Sequence, residues 1–391
     1  MLRKKVVLTW VLIISLVLLS GCGAGSAGAG QGSKDAAKEP YLIGVLTAQT
    51  GSASWLGDGE LKAANMVAEQ VNEGGGVDGH PLKVVPYDTA SSPEQAVKGA
   101  GKLIGDGVVA IIGPSLVAES KAIAPLVKGS GPLVYSLSGG YRPENPWMFA
   151  ASAQTEVMQQ TVLDYFKAKG ITKIALLAAT DSTGQEAVDS LKEWMAKDSA
   201  FTLVALERVN PSDVDVSVQL NNIKSKEPQA LIAWMTGKLV NVVAKNFYQL
   251  GLEIPLVVSH GNLSYTFLDG IQGFAPKTLL MPATKDFAWK SLPDTDPQKK
   301  INEKLHLDYK AKYGKEADFG PGVAYDAMNL IVKGLRQVGP DKEKLRAFLE
   351  NTKNEPGATA IFNFSADDHR GTGRKDTVTL KVVGKEFTLA E

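Results

Sequence analysis

The sequence predicts an α/β protein with two doubly wound parallel sheets. Short apolar runs alternate with amphipathic stretches, the alternation begins a second time near residue 155, and long helices dominate after about residue 284. Buried parallel strands are typically continuous apolar runs, whereas the helices that connect them are amphipathic. Two successive alternating units, each too short for a barrel, therefore predict two sheets with helices on both faces.

The first unit begins at Tyr41. Residues 41–47 are almost wholly apolar, and the stretch 61–71 has helical periodicity without proline. Residues 82–87 predict the second strand, and the helix after it starts with Ser92 as N-cap and Pro93 at its first position. The remaining elements of this unit are predicted as strand 108–112, helix 118–128 and strand 132–135.

The second unit repeats the pattern from Thr155. Its predicted helices are 155–168, 184–196, 214–225 and 238–250, and its predicted strands are 173–178, 203–209, 230–234 and 254–258. Helices at 296–313, 322–337 and 341–350 follow, and short strands at 359–364, 376–383 and 386–389 end the chain. Helices that come after two complete sheets suggest a chain that returns to pack on units already built.

The N-terminus has the pattern of a secretory signal. A basic start at residues 3–5 precedes the apolar stretch 6–19, which is shorter than the ~20 residues that span a bilayer. Residues 19–22 read Leu-Ser-Gly-Cys and resemble the lipobox of bacterial lipoproteins. We therefore expect residues 1–21 to be removed and Cys22 to carry a lipid anchor. An ordinary signal cut near residues 24–26 is the alternative.

Composition narrows the class of protein further. Residues 22–40 are rich in Gly, Ala and Ser and predict a flexible tether to a membrane at the cell surface or in the periplasm. Lys and Arg number 42, as do Asp and Glu, and no basic cluster favours nucleic acid as a partner. Cys22 is the single cysteine, so no intrachain disulfide is expected. A second apolar stretch of ~18 residues is absent, so the body is predicted to be soluble.

The chemical motifs point away from an enzyme. Residues 74–79 have the letters of a dinucleotide fingerprint, but they follow a helix and precede a strand, which indicates a turn. The four histidines, His80, His260, His306 and His369, lie far apart without metal-ligand spacing. No Gly-x-Ser-x-Gly motif occurs, and the acids are scattered as on solvated helix faces. We predict no catalytic residue, no metal and no cofactor.

Loops that follow strands are the candidate site. In an open parallel sheet, ligands bind beyond the carboxyl ends of the strands, where backbone N–H groups and helix N-termini favour a carboxylate or another acceptor. The loops 49–58, 113–117 and 136–141 contribute the candidates Trp55, Ser115, Ser136 and Gly139. Trp55 is either a wall against a ligand side chain or packed against its own domain. Asp88 is interpreted as a cap of the following turn.

Residues 43–104, 108–120, 322–328 and 361–371 resemble the leucine/isoleucine/valine-binding proteins, the substrate-binding subunits of ABC importers with the class I periplasmic binding protein fold. The resemblance covers residues 41–391. It implies two lobes joined by three crossover strands that close on a ligand by hinge motion. Lobe one would take 41–158 and 285–335, and lobe two 159–284 and 336–391. A separate permease pair with its own ATPases would receive the ligand.

The resemblance also assigns ligand contacts. The positions that hold the ligand carboxylate in relatives correspond to Val117, Ser138 and Gly140, of which Val117 offers only its backbone. The tryptophan that flanks the ligand side chain corresponds to Leu56, next to Trp55. Two family tyrosines correspond to Thr183 and to the neighbourhood of Thr236 and Gly237, and the acid that holds the α-ammonium corresponds to His260.

We therefore expect a monomeric, lipid-anchored binding protein that captures a branched-chain or other hydrophobic amino acid for an ABC importer. A buried ammonium needs an anion, so His260 in place of the acid weakens the amino-acid assignment. A non-amino-acid carboxylate or amide, such as an aromatic acid, is the alternative ligand class. A ligand sensor for a signalling partner is a second alternative, and a hydrolytic enzyme is a third.

Overall fold

A computed structural model describes residues 38–143, 145–151 and 154–390. Cys22, the predicted signal and nearly all of the predicted tether lie outside the described residues. No helix of the described part is long and apolar enough to cross a membrane. Lys38 and Glu39, assigned to the tether, contact the body instead: Lys38 Nζ donates to Asp78 O at 2.8 Å, and Glu39 O lies 2.7 Å from His80 Nδ1.

Strands and helices alternate through most of the described chain. The strands are β1 (Tyr41–Thr47), β2 (Leu82–Asp88), β3 (Ala110–Ile112), β4 (Leu133–Ser136), β5 (Met148–Ala150), β6 (Lys173–Ala179), β7 (Thr202–Val209), β8 (Ala230–Trp234), β9 (Leu256–Val258), β10 (Leu279–Thr284), β11 (Glu355–Pro356), β12 (Ile361–Phe362), β13 (Thr377–Val383) and β14 (Glu386–Leu389). The α-helices are α1 (Ser54–Glu73), α2 (Pro93–Gly105), α3 (Val117–Val127), α4 (Thr155–Ala168), α5 (Ser182–Lys197), α6 (Ser217–Lys224), α7 (Lys238–Gln249), α8 (Tyr265–Gly270), α9 (Lys299–Tyr313), α10 (Phe319–Val338) and α11 (Lys342–Glu350). Two 3₁₀ helices, His260–Asn262 and Lys285–Ser291, follow β9 and β10, and a third spans Arg374–Asp376.

Two main sheets confirm the predicted fold class. The first has five parallel strands in the order β2-β1-β3-β4-β5. The second has seven strands in the order β14-β13-β10-β9-β8-β6-β7, in which β6 to β10 are parallel and β13 and β14 add antiparallel. We call the layers around the five-stranded sheet the first lobe and those around the seven-stranded sheet the second lobe.

Helix α10 returns to the first sheet, as the late position of the long helices predicts. It packs along α1 through small buried side chains, so that Ala63 and Ala64 on one helix share a core with Ala324 and Ala327 on the other. Small residues allow two helix backbones to approach closely. This contact brings the N-terminal turns of α1 and α10 to the same end of the first sheet, beside the loops that follow its strands.

Two helix starts differ from the prediction. Helix α1 begins at Ser54 rather than residue 61, and α10 at Phe319 rather than residue 322. In α1, a Cβ atom at Gly57 would lie only 2.2 Å from Ala48 O, so the first turn sits directly against the chain leaving β1. Glycine is therefore required for close approach, although in the sequence it suggested a loop. Trp55 consequently lies in the first helical turn.

Three local predictions are confirmed. Ser92 Oγ accepts the N–H of Gln95 at 3.5 Å at the start of α2. Residues 74–79 form the helix end and turn, where Gly75 and Gly76 adopt φ of 92° and 79°. Asp88 caps the chain after β1 and β2: its Oδ1 accepts N–H bonds from residues 49, 50 and 90 at 2.8–3.1 Å.

Candidate functional site

Loops of the first lobe meet helix N-termini of the second lobe across a cleft. A Cβ atom at Gly140, after β4, would lie 3.4 Å from Thr155 Oγ1 and 4.0 Å from Glu186 Cγ. A Cβ atom at Gly237, at the start of α7, would lie 3.8 Å from Ser52 O, just before α1. The structure therefore brings candidate residues from both lobes to one shared region.

Val117 and Gly140 lie next to each other and form what we call the corner of the site, where they offer an apolar side chain and backbone groups. Val117 Cγ2 is 3.0 Å from the position that a Cβ of Gly140 would occupy, and Val117 is the first residue of α3. The N-terminal N–H groups of a helix lack intrahelical acceptors and favour negative charge. Ser136 Oγ lies 2.7 Å from Ser120 Oγ and accepts the N–H of Ser138 at 3.3 Å. The hydroxyl of Ser136 thus orders the loop that carries Ser138, Gly139 and Gly140.

Ser115 lies inside the first lobe, where its hydroxyl accepts the N–H of Ala48 at 3.0 Å and donates to Glu60. Glu119 accepts hydrogen bonds from Thr89 Oγ1 at 2.6 Å and from the N–H of Leu116 at 3.2 Å. Both glutamates are fully buried, so the interpretation of the acids as solvated helix faces was wrong for them. Burial raises the pKa of Glu60 to about 8 and also raises the pKa of Glu119.

An aromatic wall lies where the chain enters α10. The ring of buried His260 is 5.7 Å from Trp234 and 5.5 Å from Phe319, measured between ring centroids. A Cβ atom at Gly320 would lie 2.8 Å from Leu56 O, which places Phe319 close to the first turn of α1. Leu56 is buried there, and Trp55 is half-buried.

The sequence prediction missed Phe319 and Asp318. Asp318 is half-buried before α10, and a Cβ atom at Gly59 would lie 3.5 Å from its Oδ1. Burial raises the pKa of Asp318 to about 7. The available signal was an acid and an aromatic residue directly before a Gly-Pro-Gly sequence at 320–322, at the predicted start of the helix 322–337. Asp318 is thus an acid that directly precedes Phe319, whose ring contacts His260.

The remaining predicted residues lie on the second lobe. Thr183 is half-buried in the first turn of α5. Thr236, also half-buried, precedes α7, and its Cγ2 would lie 2.9 Å from a Cβ atom at Gly261. Thr236 and His260 are therefore close together, whereas Thr183 lies on the helix that faces Gly140. Within the described residues, no group of three or more His, Cys, Asp or Glu is arranged to hold a metal ion.

An ion-pair cluster joins the lobes at the cleft. Arg142, in the loop after β4, donates from Nε to Glu186 Oε1 on α5 at 2.9 Å. Its Nη2 lies 3.7 Å from Glu156 Oε2 on α4, and Glu156 also pairs with Arg370. One first-lobe loop is therefore tied to two second-lobe helices by charges that are only partly exposed.

We expect Arg142→Gln to favour separation of the lobes. Partly exposed ion pairs contribute about 0.2–1 kcal/mol, so the ratio of open to closed protein should rise up to about fivefold. Small-angle scattering of ligand-free protein at about 0.05 M and 0.5 M salt measures this, because salt should expand the wild type more than the variant. Lys167→Gln, which breaks the Lys167–Asp198 pair of the second lobe, is the control. Equal salt responses of wild type and Arg142→Gln would contradict the prediction.

Two α/β lobes whose strand-end loops and helix N-termini meet at one shared region have the architecture expected of a small-molecule binding protein. The sequence profile of the family described as Periplasmic binding protein matches residues 40–383, and the chain belongs to this family.

Individual relatives agree with this assignment. The Leucine-, isoleucine-, valine-, threonine-, and alanine-binding protein of Pseudomonas aeruginosa is 25% identical over 359 residues, covering 89% of this chain and 92% of that protein. The structure of an extracellular ligand-binding receptor from Rhodopseudomonas palustris HaA2 has a TM-score of 0.81 at 20% identity, covering 90% of this chain and all of the other. LivJ of Streptococcus pneumoniae in complex with isoleucine has a TM-score of 0.77 at 20% identity, covering 90% and 99%.

Proposed function

We propose that the protein captures a small solute between its lobes and passes it unchanged to an ABC importer. The observation that carries the proposal is the cleft in which Gly140 and Gly237 of opposite lobes lie against the partner lobe. Closure of two lobes around a ligand is a mode of selective capture that needs no reacting group. Membership of a binding-protein family supports the same conclusion.

Hydrophobic amino acids are the first proposed ligand class, because the Pseudomonas aeruginosa relative is named for leucine, isoleucine, valine, threonine and alanine. Trp55, Leu56 and Phe319 offer an apolar wall for the side chain. Asp318 offers an anion for the ammonium, and the start of α3 at Val117 offers N–H groups for the carboxylate.

A non-amino-acid carboxylate or amide is the second proposed ligand class. Val117 and Gly140 supply no hydroxyl at the two corner positions where relatives hold the carboxylate. The aromatic wall of Trp234, His260 and Phe319 also suits a flat ring. An aromatic acid would use this wall and the backbone N–H groups without needing an ammonium partner.

The setting of the proposed function follows from the N-terminal sequence. Cys22 would anchor a monomer outside the cytoplasm, and a permease with its ATPases would receive the ligand. We place the hinge in three connections between the two sheets. Helix α4 packs on α5 and β10, so residues 155–158 go with lobe two, and α11 packs on α10 and β4, so residues 342–350 go with lobe one. The direct test of the anchor is mass spectrometry of the mature N-terminus in wild type and Cys22→Ala.

A thermal-shift screen over amino acids, organic acids and amides tests the function. A ligand present at about 100 times its Kd stabilises the folded state by about 2.7 kcal/mol, which raises Tm by several degrees. If L-leucine raises Tm and benzoate does not, the second ligand class is rejected. If benzoate raises Tm and L-leucine does not, the first ligand class is rejected. Chemical conversion of a bound compound would show an enzyme instead and refute the proposal.

We expect Trp55→Ala and Phe319→Ala to weaken binding of the compound identified in the screen by at least about tenfold. Each removes a large apolar side chain whose contact with a ligand contributes about 1.5–3 kcal/mol. Isothermal titration calorimetry measures the change, and Tyr248→Ala, which truncates an exposed aromatic residue on α7, is the control. Unchanged affinity in either variant would remove that residue from the site.

A further inference from the structure

One buried carboxyl connects α1 with two loops that end at the cleft. Glu60, on α1, has no exposed surface and accepts a hydrogen bond from Ser115 Oγ. The same hydroxyl accepts the N–H of Ala48 at 3.0 Å. Ser115 lies in the loop after β3, and Ala48 directly follows β1. Through Ser115, Glu60 therefore fixes the distance between the ends of two neighbouring strands.

The surroundings of Glu60 exclude water and contain acids. Helix α10 covers the side chain, since a Cβ atom at Gly320 would lie 3.3 Å from Glu60 Cγ. The charges that act on Glu60 are those of Glu119 on α3 and Asp318 before α10, and both oppose its ionisation. Burial is the larger effect, and together these groups raise the pKa of Glu60 to about 8. The carboxyl is therefore mostly neutral at pH 7 and accepts the Ser115 hydrogen bond without a buried charge.

A loop that is already ordered binds its ligand more tightly than one that must be ordered on binding. Ala48 lies beside Gly57 in the turn that leads to Trp55, and Ser115 is two residues before Val117. Both loops thus lead directly to candidate ligand contacts. Loss of the Glu60–Ser115–Ala48 connection would free both at once, although none of the three side chains needs to touch the ligand.

We propose that Glu60 is a positioning residue of the ligand site, which holds the loops after β1 and β3 in register through Ser115. The inference rests on the proposed function for the part that these loops play in binding. The connection itself is a property of the ligand-free protein and is measured separately.

Amide hydrogen exchange at Ala48 reads the connection directly, because the N–H of Ala48 donates to Ser115 Oγ. In Glu60→Leu and in Ser115→Ala we expect this amide to exchange at least about tenfold faster than in wild type at pH 7. Glu60→Gln keeps an acceptor of the same shape and should remain within about twofold of wild type. Gln159→Leu is the matched control, because it removes a buried amide that bonds Ala187 in the second lobe.

The pH dependence distinguishes a neutral acid from a merely buried side chain. As the pH rises through about 8, wild-type Glu60 ionises beside Glu119 and Asp318. A buried carboxylate is less stable than a solvated one, so ionisation favours opening of this region although the Ser115 hydrogen bond itself favours the charged form. The protection factor of the Ala48 amide should then fall in wild type, whereas in Glu60→Gln it should stay constant from pH 6 to pH 9. A side chain that acted only by filling space would give the same pH profile in both proteins.

Binding of L-leucine by calorimetry links the connection to the site. We expect Glu60→Leu to bind L-leucine at least about tenfold more weakly than wild type, and Glu60→Gln within about twofold. Unchanged protection of the Ala48 amide in Glu60→Leu and Ser115→Ala would overturn the proposal. A Glu60→Gln protein that binds L-leucine as weakly as Glu60→Leu would overturn it as well. Failure of wild type to bind L-leucine would instead reject the first ligand class, and the exchange measurement would still decide the role of Glu60.

Discussion

Gly57→Ala is expected to destabilise the protein by about 3 kcal/mol and to disturb the cleft, because the added methyl group would overlap backbone atoms. A Cβ atom at this position would lie 2.2 Å from Ala48 O, 2.3 Å from Ala48 C and 2.7 Å from Ala48 N. All three atoms are backbone, so they move only if the end of β1 moves. Urea unfolding measures the loss of stability.

An equivalent substitution can be made in the second lobe. Gly184 lies in the first turn of α5 against the end of β6, as Gly57 lies in the first turn of α1 against the end of β1. A Cβ atom at Gly184 would lie 2.0 Å from Ala179 O. Gly184→Ala should therefore destabilise the protein by a similar amount. Gly101→Ala is the matched control, because this helical glycine has no atom within 4 Å of a Cβ position and alanine should stabilise it by about 0.5–1 kcal/mol. Equal stability of Gly57→Ala and Gly101→Ala would disprove the close-approach argument.

The first turn of α1 also shows where prediction of the fold from the sequence fails. The alternation of strands and helices was predictable because a strand buried on both faces leaves a continuous apolar run, as in β1, β6 and β8. The start of α1 was not predictable, because glycines such as Gly57 and Gly59 are typical of loops when only local helix propensity is considered. The close approach that requires Gly57 involves Ala48, and it becomes visible only after the helix is placed on the sheet.

Part of the candidate site was likewise predictable from the sequence, and part was not. Loops after parallel strands were predictable from topology alone, and Val117, Ser138 and Gly140 do lie at the ends of β3 and β4. Glu60 and Asp318 were not predictable, because their burial depends on the packing of α10 over α1, two helices separated by more than half of the chain. The Arg142–Glu186 pair joins two lobes, and no spacing rule within one helix or strand indicates it.

A single buried carboxylate on α10 holds the segment that precedes β12. Asp326, on α10, accepts hydrogen bonds from the N–H of Ala358 at 2.6 Å, the N–H of Thr359 at 2.7 Å and Thr359 Oγ1 at 2.5 Å. Gln298 and Asn302 hold the same segment from the other side by donating to Ala358 O, each at 3.0 Å. The segment leads directly into β12, which pairs with β11 in a separate two-stranded sheet.

We expect Asp326→Ala to destabilise the protein by about 3 kcal/mol or more, because it leaves two buried N–H groups and one hydroxyl without an acceptor. Asp326→Asn should also destabilise, since its NH₂ group would face one of the same donors. Asn329→Ala, on the exposed side of α10, is the control and should change the free energy of unfolding by less than about 0.5 kcal/mol.

The effect should depend on pH in a defined direction. Burial raises the pKa of Asp326 from its ordinary value of 3.8 to about 6, so the folded state holds this proton more tightly than the unfolded state. The contribution of this proton to stability is complete below about pH 3.8 and is lost as the pH rises through about 6. The difference in unfolding free energy between wild type and Asp326→Ala should therefore be larger at pH 5 than at pH 7.5, as measured by urea unfolding at both. A difference that grows with pH would instead mean that the folded state favours the ionised form of Asp326, so that its pKa is not raised above 3.8 by burial.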